Sequence, residues 1–276
     1  VAKSTKTGKA RSKKGAQDEG RITIEAKGNV FLIGIDRPSK LNGFTSAMLD
    51  QLAEAYTEFE DRGRYRCAVL FAHGDHFTAG LDLPHVAHRF EAGHGLFPPG
   101  LIDPVDIRPP RRTKPVVTAV RGYCFTLGIE LMLANDIVVA GEETVFSQLE
   151  VGRGIMPSCG ASMRMVERGG WGNAMKYLLT GDRFDAIEAH RMNFVTEIVP
   201  TGKDVSRAME IARTISKQAP LAVQATRATS LTWLEHGHDA AAAVLDPEQL
   251  RLSKTWDAAE GVRSFVERRS PRFRGK

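Results

Sequence analysis

Cysteine is scarce. Three residues, Cys67, Cys124 and Cys159, are spread over 276 positions with no CxxC spacing, which excludes a disulfide framework and a cysteine-based zinc site. They read as small buried hydrophobes in a reducing compartment, and the expected location is the cytoplasm. No apolar run approaches the ~20 residues that span a bilayer, so no membrane partner is expected. There is no GxSxG elbow, no phosphate-binding P-loop and no GxGxxG opening a helix. Nor are the ring-stacking residues of an RNA-recognition module present. Acids are missing from residues 1–14, which carry six of the 38 cations. The other 32 basic residues face 33 acidic ones, so the sequence pI of 9.2 reflects a tail rather than the body. Residues 1–20 have almost nothing to bury and are expected to form a disordered basic tail. They lack the apolar core of a secretory signal and the amphipathic pattern of a transit peptide. Nucleic acid is an expected partner only through this tail, if at all.

The remainder reads as alternating strands and helices. RITIEAKGNVFLIGIDRP places β-formers on both sides of Lys27-Gly28-Asn29, the pattern of a hairpin. TSAMLDQLAEAYTEFEDR carries apolar residues at 48, 49, 52, 56 and 59, one face of a helix that Thr45 or Ser46 can cap. The runs at 66–72, 115–122 and 136–141 read as strands covered on both faces, with a helix near 127–134 between the last two. This order implies crossover units and a layered α/β core. LFPPGLIDPVDIRPPRRTKP holds six of the 13 prolines and cannot form a regular element. It reads as a mobile wall or lid beside a cleft, or as a surface excursion without a role. From Ala161 onward helices dominate, interrupted by the short strand VTEIVP. The expected division is 1–20 tail, 21–200 α/β core and 201–276 helical region.

Glu130 and Glu150 flank LMLANDIVVAGEETVFSQL, and Glu130 lies in what reads as a buried helix. Acids rarely go inside without a partner or a task. Two carboxylates in one apolar cleft would have raised pKa values and could exchange protons near neutrality. Singly, Glu130 reads equally as a charge tolerated in a first helical turn and Glu150 as an exposed loop acid. The histidine pairs His73/His76 and His85/His88, followed by His94, have no carboxylate or cysteine completing a ligand spacing, so no metal is expected. Asp82 is placed to cap the helix LPHVAHRFEAG, and Asp136 to bond local backbone.

Several segments resemble the enoyl-CoA hydratase/isomerase (crotonase) superfamily. HGDHFTAGLDL is similar to its FxAGxDL segment, GYCFTLGIELMLANDIVVAG to its second signature, and RPSKLNGFT to the RPxxxNA segment that approaches CoA. VFSQLEVGRGIMP and YLLTGDRFDAIEAHRMNFVTEIVP match later landmarks. The resemblance runs from about Arg21 to Lys276. It implies a ββα spiral core with a helical C-terminal trimerisation region, hence a homotrimer or hexamer. The implied activity is reversible hydration of a trans-2-enoyl-CoA, with CoA as substrate handle and no cofactor. By motif, two backbone N–H groups at Ala79 and Leu127 form an oxyanion hole for the thioester enolate. Glu130 would activate the water that attacks C3, and Glu150 would protonate C2. Lys40, Leu41, Gly80, Leu81 and Asp82 would line the CoA channel, with Phe273 closing over it. Other reactions of the superfamily (isomerisation, decarboxylation, thioester hydrolysis) remain alternatives, as does a non-catalytic binding protein that uses the tail. The chain departs from the glycine-rich second signature at Phe125-Thr126-Leu127. A donor at 127 then requires negative φ there, with Thr126 a candidate helix cap.

Overall fold

The computed structural model describes residues 19–91 and 95–276; nearly all of the basic tail, and His94, lie outside them. The chain opens with the hairpin β1 (Arg21–Lys27) and β2 (Val30–Asp36), then α1 (Ser46–Asp61), β3 (Cys67–Ala72) and α2 (Leu83–Glu91). There follow β4 (Val116–Val120), β5 (Tyr123–Phe125), α3 (Leu127–Ala134), β6 (Ile137–Gly141) and β7 (Val145–Ser147). Next come α4 (Ala161–Gly169), α5 (Trp171–Thr180), β8 (Phe184–Asp185), α6 (Ala186–Arg191) and β9 (Glu197–Val199). The chain ends in α7 (Asp204–Ser216), α8 (Pro220–Ser253) and α9 (Trp256–Val266).

Within the described residues the main sheet has the order β1-β2-β3-β4-β6-β9, antiparallel only at the β1–β2 hairpin. Strands β2, β3, β4 and β6 are buried on both faces, as their continuous apolar sequences require, whereas the edge strand β1 is largely exposed. Val30, Leu32, Val69, Val117 and Val139 face α7 through Ala208, Met209 and Ala212. The alternate residues Phe31, Ile33, Leu70, Val116 and Val138 face α1, α3 and the second sheet. Helix α7 therefore completes the core, although the sequence division at residue 200 assigns it to the C-terminal region. In the second sheet, β5-β7-β8, β5 leads into α3 at Leu127 and β7 into the turn at Glu150. Thr45 caps α1 by accepting from the Met48 N–H at 3.3 Å.

The proline-rich segment is packed rather than free. Leu96, Phe97, Ile102 and Val105 are buried. Asp103, also buried, accepts the N–H groups of Val105, Ile107 and Arg108 and so supplies the bonds that a regular element would have given. It is a fixed wall. Helix α8 contains a break at Gly237 (φ 82°, ψ −176°), a conformation for which glycine is suited.

Candidate active site

Three loops at the carboxyl ends of β2, β3 and β4 meet above the main sheet. Asn42, buried in the first, donates to the carbonyls of His73 and His76 in the second at 2.8 and 2.7 Å and accepts from the Arg37 N–H at 2.7 Å. Lys40 and Leu41 are exposed at the tip of this loop. Phe44 and Leu81 form a single parallel bridge, in which the Phe44 N–H donates to Gly80 O and the Asp82 N–H to Phe44 O. A residue in such a bridge pairs on one side only, so the Leu81 N–H points away from Phe44.

That geometry corrects one expectation. The Ala79 N–H donates to Leu41 O at 2.9 Å and is occupied, and the Gly80 N–H donates to Thr78 Oγ1 at 2.9 Å. Among the described residues the Leu81 N–H has no partner. The free donor of this turn is Leu81, two residues beyond Ala79. The Leu127 N–H is likewise without a partner. It opens α3, where the helix dipole favours negative charge. Leu127 lies outside the positive-φ residues, whereas Thr126 has φ 49° and ψ −114°. The strain that glycine would relieve falls on Thr126, which makes no capping bond, contrary to its sequence reading. Its hydroxyl instead sits against Gly80, where a Cβ would overlap it. Gly80 itself has φ 101°. The two turns that bear the free N–H groups thus touch through a hydroxyl and a missing side chain.

Glu130 is 3% exposed, one turn into α3. Its Oε1 accepts from the N–H groups of Cys159 (2.7 Å) and Ala161 (3.3 Å) at the start of α4. Burial raises its pKa; the two N–H bonds, the Arg164 guanidinium and the Cys159 thiol pull against it without reversing the shift. Glu150 begins a 3-10 turn after β7 and is 8% exposed. Burial pushes its pKa to about 7, its own backbone N–H opposes this, and the nearby Glu130 charge adds to the rise. With its nitrogen turned toward the carboxylate, the Gln148 amide reaches both Glu150 oxygens at 3.2 and 3.0 Å. The two acids therefore sense each other's charge, and Glu130 lies one turn along the helix that the free Leu127 N–H opens.

Asp82 pairs with the Arg37 guanidinium at 2.7 Å and His85 at 3.0 Å, and its carbonyl accepts the His85 N–H. Its carboxyl pKa is lowered: burial opposes the shift, but the Arg37 and His85 bonds prevail. Phe273 is not near these loops within the chain. Its carbonyl accepts from Arg66, which precedes β3, at the end of the sheet opposite the 79–82 turn. The C-terminus turns back on α9, where Asp257 accepts the N–H groups of Arg274 and Gly275 and Glu260 accepts that of Arg272. The histidines are engaged separately, His73 with Thr23 and His76 with the Tyr123 N–H. Among the described residues no cluster of three or more His, Cys, Asp or Glu could hold a metal ion. Asn42, Gln148 and Leu81 as donor are what sequence reasoning missed. Asn42 stood inside the RPSKLNGFT segment; Gln148 had no signal beyond its closeness to Glu150.

Comparison with known proteins adds to this geometry. Residues 25–276 match the family described as enoyl-CoA hydratase/isomerase. Enoyl-CoA hydratase EchA19 of Mycobacterium tuberculosis is 30% identical over 257 residues, covering 92% of this chain and 96% of that one. Carnitinyl-CoA dehydratase of Proteus mirabilis is 32% identical over 264 residues, covering 92% and 98%. Among solved structures, a probable enoyl-CoA hydratase/isomerase from Mycobacterium abscessus superposes with a TM-score of 0.89 at 46% identity, covering 92% of this chain and 98% of that one. With two free N–H groups beside a buried acid pair on this scaffold, the chain belongs to the enoyl-CoA hydratase/isomerase family.

Proposed function

We propose that the chain is a hydro-lyase that adds water reversibly across the double bond of a trans-2-enoyl-CoA, giving the 3-hydroxyacyl-CoA. The thioester oxygen lies between the N–H groups of Leu81 and Leu127, which stabilise the negative charge of the enolate. Glu130, held by Cys159 and Ala161, takes a proton from water as its oxygen bonds to C3. Glu150 releases a proton to C2 as the enolate collapses. The pair then carries one proton, as before, and the same groups run the reaction backward. The observation that supports this most directly is the juxtaposition of two buried acids, both with raised pKa values, beside two unpartnered backbone donors. The chemistry needs no cofactor, since the CoA thioester is itself the substrate. Lys40 and Leu41 at the exposed loop tip, with Gly80 and Asp82, form the CoA side of the cleft. Phe273 of the same chain is too far away to join them.

A homotrimer or hexamer fits the exposed apolar side chains of α8 and α9, among them Trp233, Leu250, Val262 and Phe265. Three free, buried cysteines suit a reducing cytoplasm.

The test is hydration of crotonyl-CoA, followed by loss of enoyl-thioester absorbance. Glu130→Gln and Glu150→Gln should each lower kcat by about 10²–10⁴ while leaving the fold intact. Full activity in both variants would refute the assignment. Product analysis separates the other reactions of the superfamily, since only hydration incorporates water without releasing free CoA.

A further inference from the structure

Helix α4 carries two arginines one turn apart, Arg164 and Arg168, that line an open cavity of about 420 Å³ between α4, the end of α3, α8 and the 106–115 segment. The other arginines of this cavity are neutralised. Arg111 pairs with Asp106 and Glu235, and Arg227 with Asp106 and Asp136. Arg164 and Arg168 have no carboxylate partner among the described residues. Arg164 Nη2 reaches only the Asp106 carbonyl at 3.2 Å, and its Nη1 is enclosed without a partner. Arg168 donates to the carbonyls of Leu133 and Asn135 at 2.7 and 3.2 Å. Glu167, also at the cavity, is exposed; its charge acts on both guanidiniums, but it forms no ion pair with either.

Like charges at i, i+4 repel, and an enclosed N–H without an acceptor costs about 1–3 kcal/mol. Burial pushes the pKa of both guanidiniums down. A bound anion would remove both penalties, and guanidiniums match a carboxylate in plane and spacing.

Glu130 and Glu150 do not line the cavity, but it lies on the two elements that carry and hold Glu130. Leu133 and Ala134 follow Glu130 by one turn of α3. Arg164 follows Cys159 and Ala161, the residues holding Glu130, by one turn of α4. One turn rises about 5.4 Å, which an extended chain covers with roughly four carbons at about 1.5 Å per bond. Leu133, Val223, Leu231 and Leu234 supply apolar lining for such a chain.

We propose that this cavity is a carboxylate-binding subsite in which Arg164 and Arg168 receive the distal carboxylate of an acyl-CoA whose C2 and C3 lie between Glu130 and Glu150. This rests on the hydratase reading and names its substrate class: trans-2-enoyl-CoA esters with a terminal carboxylate about four carbons beyond C3. A free dicarboxylate shares the chemistry, and the test distinguishes the two.

The full-length chain is assayed with crotonyl-CoA, with an ω-carboxylated trans-2-enoyl-CoA of that length, and with its ω-methyl counterpart. The ratio of kcat/KM between the two long substrates is the readout, so that any effect of Arg164 acting through Glu130 cancels. Wild type should prefer the carboxylated ester by about tenfold or more. Arg164→Gln should abolish the preference, and Arg164→Lys should restore part of it. In parallel, free heptanedioate is titrated in a thermal-shift measurement on wild type and Arg164→Gln. A rise in Tm lost in the variant, with no kinetic preference, supports the subsite and assigns it to a free acid. No preference and no shift overturn it. Failure of wild type on every enoyl-CoA overturns the hydratase reading instead and leaves the thermal measurement to decide the subsite.

Discussion

Glu150 shows what burial does to one side chain. A carboxyl that titrates near 4.5 in the open is moved to about 7 by loss of water and by Glu130. Folding favours its protonated form. Its contribution to stability is full below pH 4.5 and fades as pH rises through about 7. Turnover needs one proton on the pair, so kcat/KM for hydration should fall above pH 7 as that proton is lost. A rate flat from pH 6 to about 9 would show that Glu150 is not the donor. Gly80 makes a second residue-scale test. Its φ of 101° and the Thr126 hydroxyl against it leave no room for a methyl group. Gly80→Ala should separate the Leu81 and Leu127 donors, costing about 10²–10³ in kcat and about 1–3 kcal/mol of stability in denaturant unfolding. At this scale the sequence was partly legible. The acids and the AG turn stood out as motifs, but which N–H faces the cleft is decided by the bridge between Leu81 and Phe44, 37 residues earlier. Local pattern carries no trace of that pairing.

Among the elements, α3 has an unusual position. All eight residues, Leu127 to Ala134, are buried, so the helix has no polar face to orient it. Its ends do so instead. Thr126 O accepts from Ile129 and Glu130 at one end, and Arg168 binds the carbonyls of Leu133 and Asn135 at the other. Beyond it, Arg112 is fully buried and joins Asp136, while Arg227 of α8 binds Asp136 and Asp106 together. Asp136, read from sequence as bonding backbone, does accept the Val116 N–H at 2.8 Å, but it also anchors α8. Arg227→Ala leaves Asp106 with Arg111 and Asp136 with Arg112, and should cost about 1.5–3 kcal/mol for the lost charged hydrogen bonds, visible as a lowered unfolding midpoint. A change below about 0.5 kcal/mol would mean that α8 is held by something else. The long strands were legible because continuous apolar runs of five or six residues fit few other states. The strands of the second sheet were not: β5 and β7 have three residues and β8 two, too few for any period to show.

At the scale of the whole molecule, apolar surface gathers where the sequence becomes helical. Phe265 is 86% exposed, and Val262 and Val266 accompany it on α9. A lone chain pays for such exposure, and copies of the chain can cover it. Light scattering should give the mass of three or six chains. Replacing Val262 and Phe265 with Asp should lower that mass; an unchanged assembly would place the contact elsewhere. The fold class was legible in outline, with a layered α/β part before a helical part. The assignment of α7 was not, because its apolar face, formed by Ala208, Met209 and Ala212, has the ordinary look of any amphipathic helix.

The tucked C-terminus has a practical consequence. Lys276 is stitched to α9 through the Asp257 N–H, while Phe273 is tied to Arg66 at the foot of β3. A dye or surface tether attached there emerges about one strand length, ~20 Å, from the loops that flank Leu81. Immobilised in this way, the enzyme would present its mouth to the solution.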